Sequence, residues 1–213
     1  MQGGKNGSGT KGTGTINIGH PQALGDGSQP VYFGSNYQNV TLSSSIGPVD
    51  VNDLTVGYGS PVNRPLLVVG TDVRLTGTIA NNDGIDNISS RLEIGNGGTM
   101  AATGSMRNTS TGHNWDLFVA GGGTVTLDAG GPGTLECGDL TFTDNTSELI
   151  VDLAGEAPGT GYDQISVLTT GANYDRGTVS LGNATLTIQN IAKKIDQAAL
   201  AFIIVNDGSD AVV

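Results

Sequence analysis

The sequence has few of the residues on which most catalytic and metal centres depend. It contains one cysteine, Cys137, and two histidines among 213 residues. A single cysteine excludes an intrachain disulfide and any cysteine-based metal cluster. Neither His20 nor His113 lies in a hydrolase or metalloprotease motif such as Gly-x-Ser-x-Gly or His-Glu-x-x-His. We therefore predict that the protein is not an enzyme, and we expect Cys137 to be a small buried apolar residue.

Charged residues are also scarce, and most of them are acidic. They make up 14% of the chain, against roughly 25% in an average soluble domain. The 20 acidic and 9 basic side chains give a net charge of −11. Such a surface repels phosphate backbones and anionic lipid, so we expect no nucleic-acid partner. Because no apolar run approaches the roughly 18 residues of a membrane span, we expect no membrane insertion of this segment.

Aromatic residues make up only 5% of the chain, whereas glycine occurs 35 times. Glycine at this density weakens helices and supplies the backbone conformations that tight turns need. The cores of β-sandwiches usually contain more large aromatic side chains. Few aromatics and many turns therefore favour a β-solenoid, in which short strands alternate with turns.

Short segments between residues 121 and 188 carry apolar side chains at every second position. Because strand side chains alternate between two faces, this period places the aliphatic residues on one face and Thr, Ser and Asp on the other. The apolar positions are Val125, Leu127, Leu140, Phe142, Leu149, Val151, Leu153, Val179, Leu181, Leu186 and Ile188. We predict that this apolar set faces the core and that Thr126 and Thr143 face outwards.

The strand-like segments recur at variable intervals, which fits a solenoid with loops of different lengths and also a sandwich of short strands. We predict an all-β fold, a right-handed parallel β-helix or β-solenoid, with the β-sandwich as the alternative. Residues 1–15 are a Gly/Ser/Thr-rich lead that we expect to be flexible. Residues 16–213 form a single solenoid domain with its most regular repeats in 117–205. Residues 191–200 have a helical pattern that predicts about two turns of helix.

Part of the chain resembles the autotransporter-associated β-strand repeat proteins, which are large secreted bacterial surface proteins. The resemblance lies mainly in residues 148–210, and the stretches that carry it are Pro-Gly-Thr-Gly-Tyr-Asp-Gln (158–164), Gly-Thr-Val-Ser-Leu-Gly-Asn-Ala-Thr-Leu (177–186) and Phe-Ile-Ile-Val-Asn-Asp-Gly-Ser-Asp (202–210). The resemblance implies a right-handed β-helix and an extracellular surface or filament role, often adhesion. It implies no catalytic residue.

We therefore expect a non-enzymatic structural or adhesive module that assembles by strand stacking. The C-terminal side is apolar and lacks a polar cap, so it could stack on a neighbouring subunit or on further coils of a longer chain. The candidate assembly residues are Ile203, Ile204, Val205, Val212 and Val213. A glycan or a cell surface is the other expected partner. The alternatives are a virion fibre or spike component and a polysaccharide-active β-helix, whose site would lie near Trp115 unless that tryptophan is simply buried.

Two Asn- and Asp-rich turns carry oxygen ligands of the kind that calcium prefers. The candidate ligands are Asp83 and Asp86 in the first turn and Asp207 and Asp210 in the second. Their spacing does not match the twelve-residue EF-hand loop. Tight turns also select Asn, Asp and Gly for backbone reasons alone. We therefore expect no cofactor, with calcium at these turns as the alternative.

Overall fold

The computed structural model describes residues 12–24, 29–33, 38–57, 66–82, 91–107, 114–127, 131–168, 177–190 and 204–206. In these ranges the chain forms seventeen β-strands and no helix, which confirms the all-β prediction. The helix predicted over residues 191–200 lies outside the described residues, as do residues 1–11 of the predicted lead.

The strands are short, from two to ten residues. In chain order they are β1 (Gly12–Ile18), β2 (Val31–Phe33), β3 (Gln38–Ser44), β4 (Val49–Gly57), β5 (Leu66–Val69), β6 (Val73–Asn82), β7 (Arg91–Ile94), β8 (Thr99–Ser105), β9 (Asp116–Val119), β10 (Thr124–Val125), β11 (Thr134–Cys137), β12 (Leu140–Phe142), β13 (Glu148–Asp152), β14 (Gln164–Val167), β15 (Val179–Ser180), β16 (Thr185–Gln189) and β17 (Ile204–Asn206). All pairings between these strands are parallel.

The paired strands form three stacks, which we call the first, second and third faces. The first face has the order β1-β3-β5-β7-β9-β12-β15. Strands β4, β6 and β8 are long enough to contribute to two faces. Their first halves align with β10, β13 and β16 to form the second face, and their second halves align with β2, β11, β14 and β17 to form the third. We call the strands of one circuit of the chain a level.

Parallel strands of this kind become neighbours only when the chain makes a circuit between them. The arrangement is therefore a β-solenoid, as predicted, and the sandwich alternative, which is built from antiparallel sheets, is wrong. Between β4 and β13 the circuit has a nearly constant length. Val51 pairs with Leu75, Leu75 with Met100, Met100 with Val125, and Val125 with Leu149. These paired residues of the second face are therefore 24 or 25 positions apart.

These paired residues form an inward column along the second face. Each of the five is at most 5% exposed. Fully burying one aliphatic side chain contributes about 1.5–3 kcal/mol. The column therefore makes the core continuous from one level to the next, and a polar substitution within it would interrupt that core.

The turns between the first and second faces also stack on one another. The N–H of Asp72 donates to the carbonyl oxygen of Gly97, and the N–H of Gly97 donates to that of Gly122, each at 3.0 Å. Gly97 and Gly122 have φ angles of 71° and 78°, which favour glycine. A methyl group at Gly123 would overlap the carbonyl oxygen of Ile94 on the level before. Glycine is needed here because neighbouring levels approach each other through their backbones.

Most of the predicted core positions are buried. The buried ones are Val125, Leu127, Leu140, Phe142, Leu149, Val151 and Val179. On the other side of the strands, Thr143 is exposed, as predicted, and Thr126 is half-buried. The period of two therefore assigned the faces of these strands correctly.

The prediction of a buried side chain is wrong for Leu181, Leu186 and Ile188, which are 38%, 55% and 46% exposed. Leu181 lies just beyond β15, in the turn before β16. Leu186 and Ile188 lie on β16, the last strand of the second face. Leu153 is half-buried because the alternation ends at the residue before it, the buried Asp152.

Candidate functional site: the C-terminal level of the solenoid

The three strands of the last level each end their stack. Strand β15 is last on the first face, β16 on the second and β17 on the third. Within the described ranges, no strand pairs with the outer edge of any of the three. An unpaired strand edge presents N–H and C=O groups that can hydrogen-bond to a further strand. The last level is therefore a surface at which the sheets can be extended.

Two aliphatic side chains of β16 point towards the inside of the coil. Leu186 pairs in register with Leu149, and Ile188 pairs with Val151. Paired residues on neighbouring strands point to the same side of the sheet. Leu149 and Val151 are 5% and 1% exposed, whereas about half of Leu186 and of Ile188 is open to solvent. The inward column thus continues into the last level but is only half covered there. We call Leu186 and Ile188 the apolar end.

Polar contacts hold β16 to β13. Thr187 Oγ1 donates to Glu148 Oε1 at 2.6 Å. Asn190 Nδ2, one residue beyond the strand, donates to Asp152 Oδ1 at 2.6 Å. These bonds fix the register of β16 against β13. Leu186 and Ile188 are therefore exposed because β16 is the last strand of its stack, and not because the strand is misaligned.

The backbone of the apolar end faces the open edge. The N–H of Thr185 donates to the carbonyl oxygen of Ser147 at 3.0 Å, and the carbonyl oxygen of Gln189 accepts from the N–H of Leu153 at 3.1 Å. In a parallel ladder, every second residue directs both its N–H and its C=O to the same neighbour. Positions 185, 187 and 189 therefore bond to β13, and the amides of the apolar end point away from it.

Exposed apolar side chains are concentrated in this part of the molecule. Among the described residues, five large hydrophobic side chains are exposed, and three of them lie in the last level. The five are Tyr32, Ile46, Leu181, Leu186 and Ile188. Single exposed hydrophobic residues are ordinary on protein surfaces. A group of neighbouring ones is typical of a surface that binds another protein, a membrane or a ligand.

The predicted assembly residues lie only partly in the described structure. Ile204 and Val205 belong to β17 and pair with Ile165 and Ser166. The side chain of Ile204 is half-buried and packs against the core. The other three, Ile203, Val212 and Val213, lie outside the described residues. The apolar end was not among the predicted site residues, because its alternating pattern is the same as that of a buried strand.

The calcium candidates Asp83, Asp86, Asp207 and Asp210 all lie outside the described residues, so calcium binding there stays a prediction. Where the structure does describe the chain, no group of three or more His, Cys, Asp or Glu side chains could hold a metal ion.

Cys137 and Trp115 are both part of the core. Cys137 is buried, and burial raises the pKa of its thiol far above the ordinary range, with a further contribution from the negative charges of Asp116 and Asp139. Trp115 is 4% exposed and makes an edge-to-face contact with Phe33, with ring centroids 6.2 Å apart. The prediction of a buried cysteine is confirmed, and the simple explanation of the tryptophan as a buried residue is confirmed with it.

The described part of the chain contains no helix long and apolar enough to cross a membrane. Comparison of the sequence with models of known protein families and with curated proteins gives no match.

Proposed function

We propose that the protein is a non-enzymatic structural or adhesive module of an extracellular surface or filament, and that it assembles by stacking strands onto its C-terminal level. The observation that carries the proposal is the apolar end, where an inward core column reaches the last strand and stays half exposed. Covering it would bury aliphatic surface, which is the main source of free energy in association. Strand pairing along the open edge would supply the direction of the contact.

The occupant that we propose is a second copy of this chain, stacked head to tail. The first level also ends its stacks, with β1 on the first face and β2 on the third. Head-to-tail stacking of the last level on the first would continue the parallel pairing already present between levels. Such a contact joins two different surfaces and leaves one of each free at the ends. Because the copies add along the axis of the solenoid, the product is an open filament and not a ring.

The extracellular and adhesive parts of the proposal rest on the resemblance of residues 148–210 to the autotransporter-associated β-strand repeat proteins. A virion fibre would use the same stacking surface and is the alternative assembly. Each copy has a net charge of −11, so copies repel one another at low ionic strength. Salt screens this repulsion, and we expect added salt to promote assembly.

The test is the particle size of the protein over a range of protein and salt concentrations, measured by light scattering. The test variant is Leu186→Lys/Ile188→Lys, which places two charges on the apolar end. The control variant, Thr185→Lys/Gln189→Lys, adds the same charge to exposed positions on the same strand. We expect wild type and control to form particles that grow with salt, and the test variant to stay monomeric.

Two results would overturn this proposal. One is a wild type that stays monomeric at high protein and salt concentration. The other is a test variant that assembles as well as the control, because the apolar end would then take no part in the contact.

A further inference from the structure

A groove with a volume of about 640 Å³ lies on the outer side of the third face. Its floor consists of residues from four neighbouring strands, β6, β8, β11 and β14. Pro158, in the loop between β13 and β14, and Arg107, which follows β8, also line it. Small-molecule sites usually have volumes of about 300–1,000 Å³. The groove is therefore large enough for a ligand and crosses several levels of the solenoid.

Polar side chains form two rows along the floor. Ser105 pairs with Glu136, and Glu136 pairs with Ser166, so these three face outwards on successive levels. In the second row Thr134 pairs with Gln164. Neighbouring strands lie about 4.8 Å apart. The floor thus presents hydroxyl, carboxylate and amide groups at the spacing of the levels.

The hydrogen bonds within the groove place donors and acceptors side by side. Ser105 Oγ donates to Glu136 Oε2 at 2.7 Å and accepts from the backbone N–H of Arg107 at 3.2 Å. A carboxylate has about four lone-pair sites, so Glu136 can accept further hydrogen bonds from a ligand. The guanidinium of Arg107, which is exposed, can donate hydrogen bonds to a ligand. Hydroxyl groups of a ligand, which both donate and accept, match such a surface.

The loop that forms one wall is folded tightly on itself. The carbonyl oxygen of Gly161 accepts from the N–H groups of Ala154 and Gly155, each at 2.6 Å. At the end of the loop, the buried carboxylate of Asp163 accepts from the N–H of Gly133 at 2.7 Å, which ties the loop to the level before. A wall that is already ordered avoids the entropy cost of ordering a loop on binding.

The chemistry of the groove selects one class of ligand over others. An extended peptide binds a sheet through an open strand edge, whereas β8, β11 and β14 are paired with one another across the floor. The net charge of −11 repels polyanions. The floor carries hydroxyl, amide and charged groups beside apolar surface, so it suits a ligand that has both hydroxyl groups and apolar C–H faces. A neutral, hydroxyl-rich chain fits all three conditions.

We propose that the groove binds a neutral polysaccharide, with the sugar chain lying along the axis of the solenoid. Sugar rings repeat along such a chain at a spacing close to that of neighbouring strands, so successive sugars would meet successive levels. The inference deepens the adhesive part of the proposed function and rests on it. It is independent of stacking, because the groove lies on the side of the solenoid and the apolar end lies at its last level.

The test is a titration of the ¹⁵N-labelled protein with cellohexaose, xylohexaose and mannohexaose, followed by amide chemical shifts. Heparin serves as the polyanionic control. We expect at least one neutral hexasaccharide to shift amides of β8, β11 and β14 in a saturable way, and heparin to leave them unchanged. If no hexasaccharide shifts these amides, or if only heparin does, the proposal is wrong.

Matched variants locate the binding. Glu136→Gln/Gln164→Ala replaces the carboxylate by an amide and removes the Gln164 amide from the floor. It should weaken binding by about tenfold or more, since the loss of a charge-assisted and of a neutral hydrogen bond each contributes a few-fold. Glu93→Gln/Gln189→Ala makes the same changes on the first and second faces and should leave the affinity unchanged. Equal effects of the two variants would contradict binding in the groove. Sugar binding without assembly would refute the stacking proposal and leave the sugar-binding proposal standing. Assembly without sugar binding would refute the sugar-binding proposal and leave the stacking proposal standing.

Discussion

The inward-facing residues of β13 and β16 are of the same type and differ in burial. On each strand two aliphatic residues, two positions apart, point towards the inside of the coil, and the two pairs are in register. The inward-facing pair of β13 is buried because β13 lies between β10 and β16, whereas β16 has only β13 beside it among the described strands. The difference in burial therefore comes from the number of neighbouring strands. An alternating pattern sets the direction of a side chain, and a further strand is needed to make that side chain part of a core.

The largest loss of stability should come from an aspartate in β13, and the same substitution at the paired position of β16 provides the comparison. Val151→Asp places a carboxylate in the interior and should lower the free energy of unfolding by about 3 kcal/mol or more. Ile188→Asp, at the paired position, should lower it by about 1 kcal/mol or less, because 46% of Ile188 is already exposed. Urea unfolding at low protein concentration measures both losses. Equal losses would show that the apolar end is covered in the monomer.

An intermediate effect should come from the stacked turns, which exist only where one level lies on another. Gly123→Ala places a methyl group against the carbonyl oxygen of Ile94 and should lower the free energy of unfolding by about 1–2 kcal/mol. Gly131→Ala is the control, because a methyl group there meets no atom within 4 Å. Thermal unfolding of the two variants tests the difference. A loss at Gly131 as large as that at Gly123 would refute the backbone contact as its cause.

The smallest effect concerns the turn at Asp144, between the first and second faces. The hydroxyl and the N–H of Thr146 donate to the Asp144 carboxylate at 2.6 and 2.8 Å and lower its pKa below the ordinary value. Because the pKa is lower in the folded state, the stabilisation is present above the ordinary pKa of aspartate and is lost as the pH falls through the lowered value. An NMR titration should give a lowered pKa, and Thr146→Val should return it towards normal. An unchanged pKa in that variant would rule out these hydrogen bonds as its cause.

Much of the fold could be predicted from the sequence, because the period of two is a local property. Turn-rich composition and scarce aromatics also favoured the solenoid over the sandwich correctly. The spacing of 24 or 25 residues on the second face between β4 and β13 was not predicted. The intervals between successive strands are unequal, because the connections from the third to the first face range from two residues between β11 and β12 to eleven between β14 and β15. Insertions at that corner change the distance between strands without disturbing their pairing.

The candidate sites were harder to predict, because both depend on what lies beside a strand. Leu186 and Ile188 have the pattern of core residues, and nothing local distinguishes the last strand of a stack from a middle one. In the groove, Glu136 and Gln164 look like ordinary outward-facing polar residues of a solvated face. They line a site only because Pro158 and its loop stand beside them. Which strand ends a stack, and which residues of different levels lie side by side, can be predicted only once the register of the strands is known.

Stacking requires that the open edge of β16 binds a further strand of another copy. Amide hydrogen exchange of Leu186 and Ile188 tests it most directly, because their N–H groups point to that edge. We expect these amides to exchange quickly in dilute protein at low salt and to slow down as the protein and salt concentrations rise. The amides of β6 and β8, which lie between paired strands, should stay slow throughout. Exchange at Leu186 and Ile188 that is independent of concentration would contradict the claim.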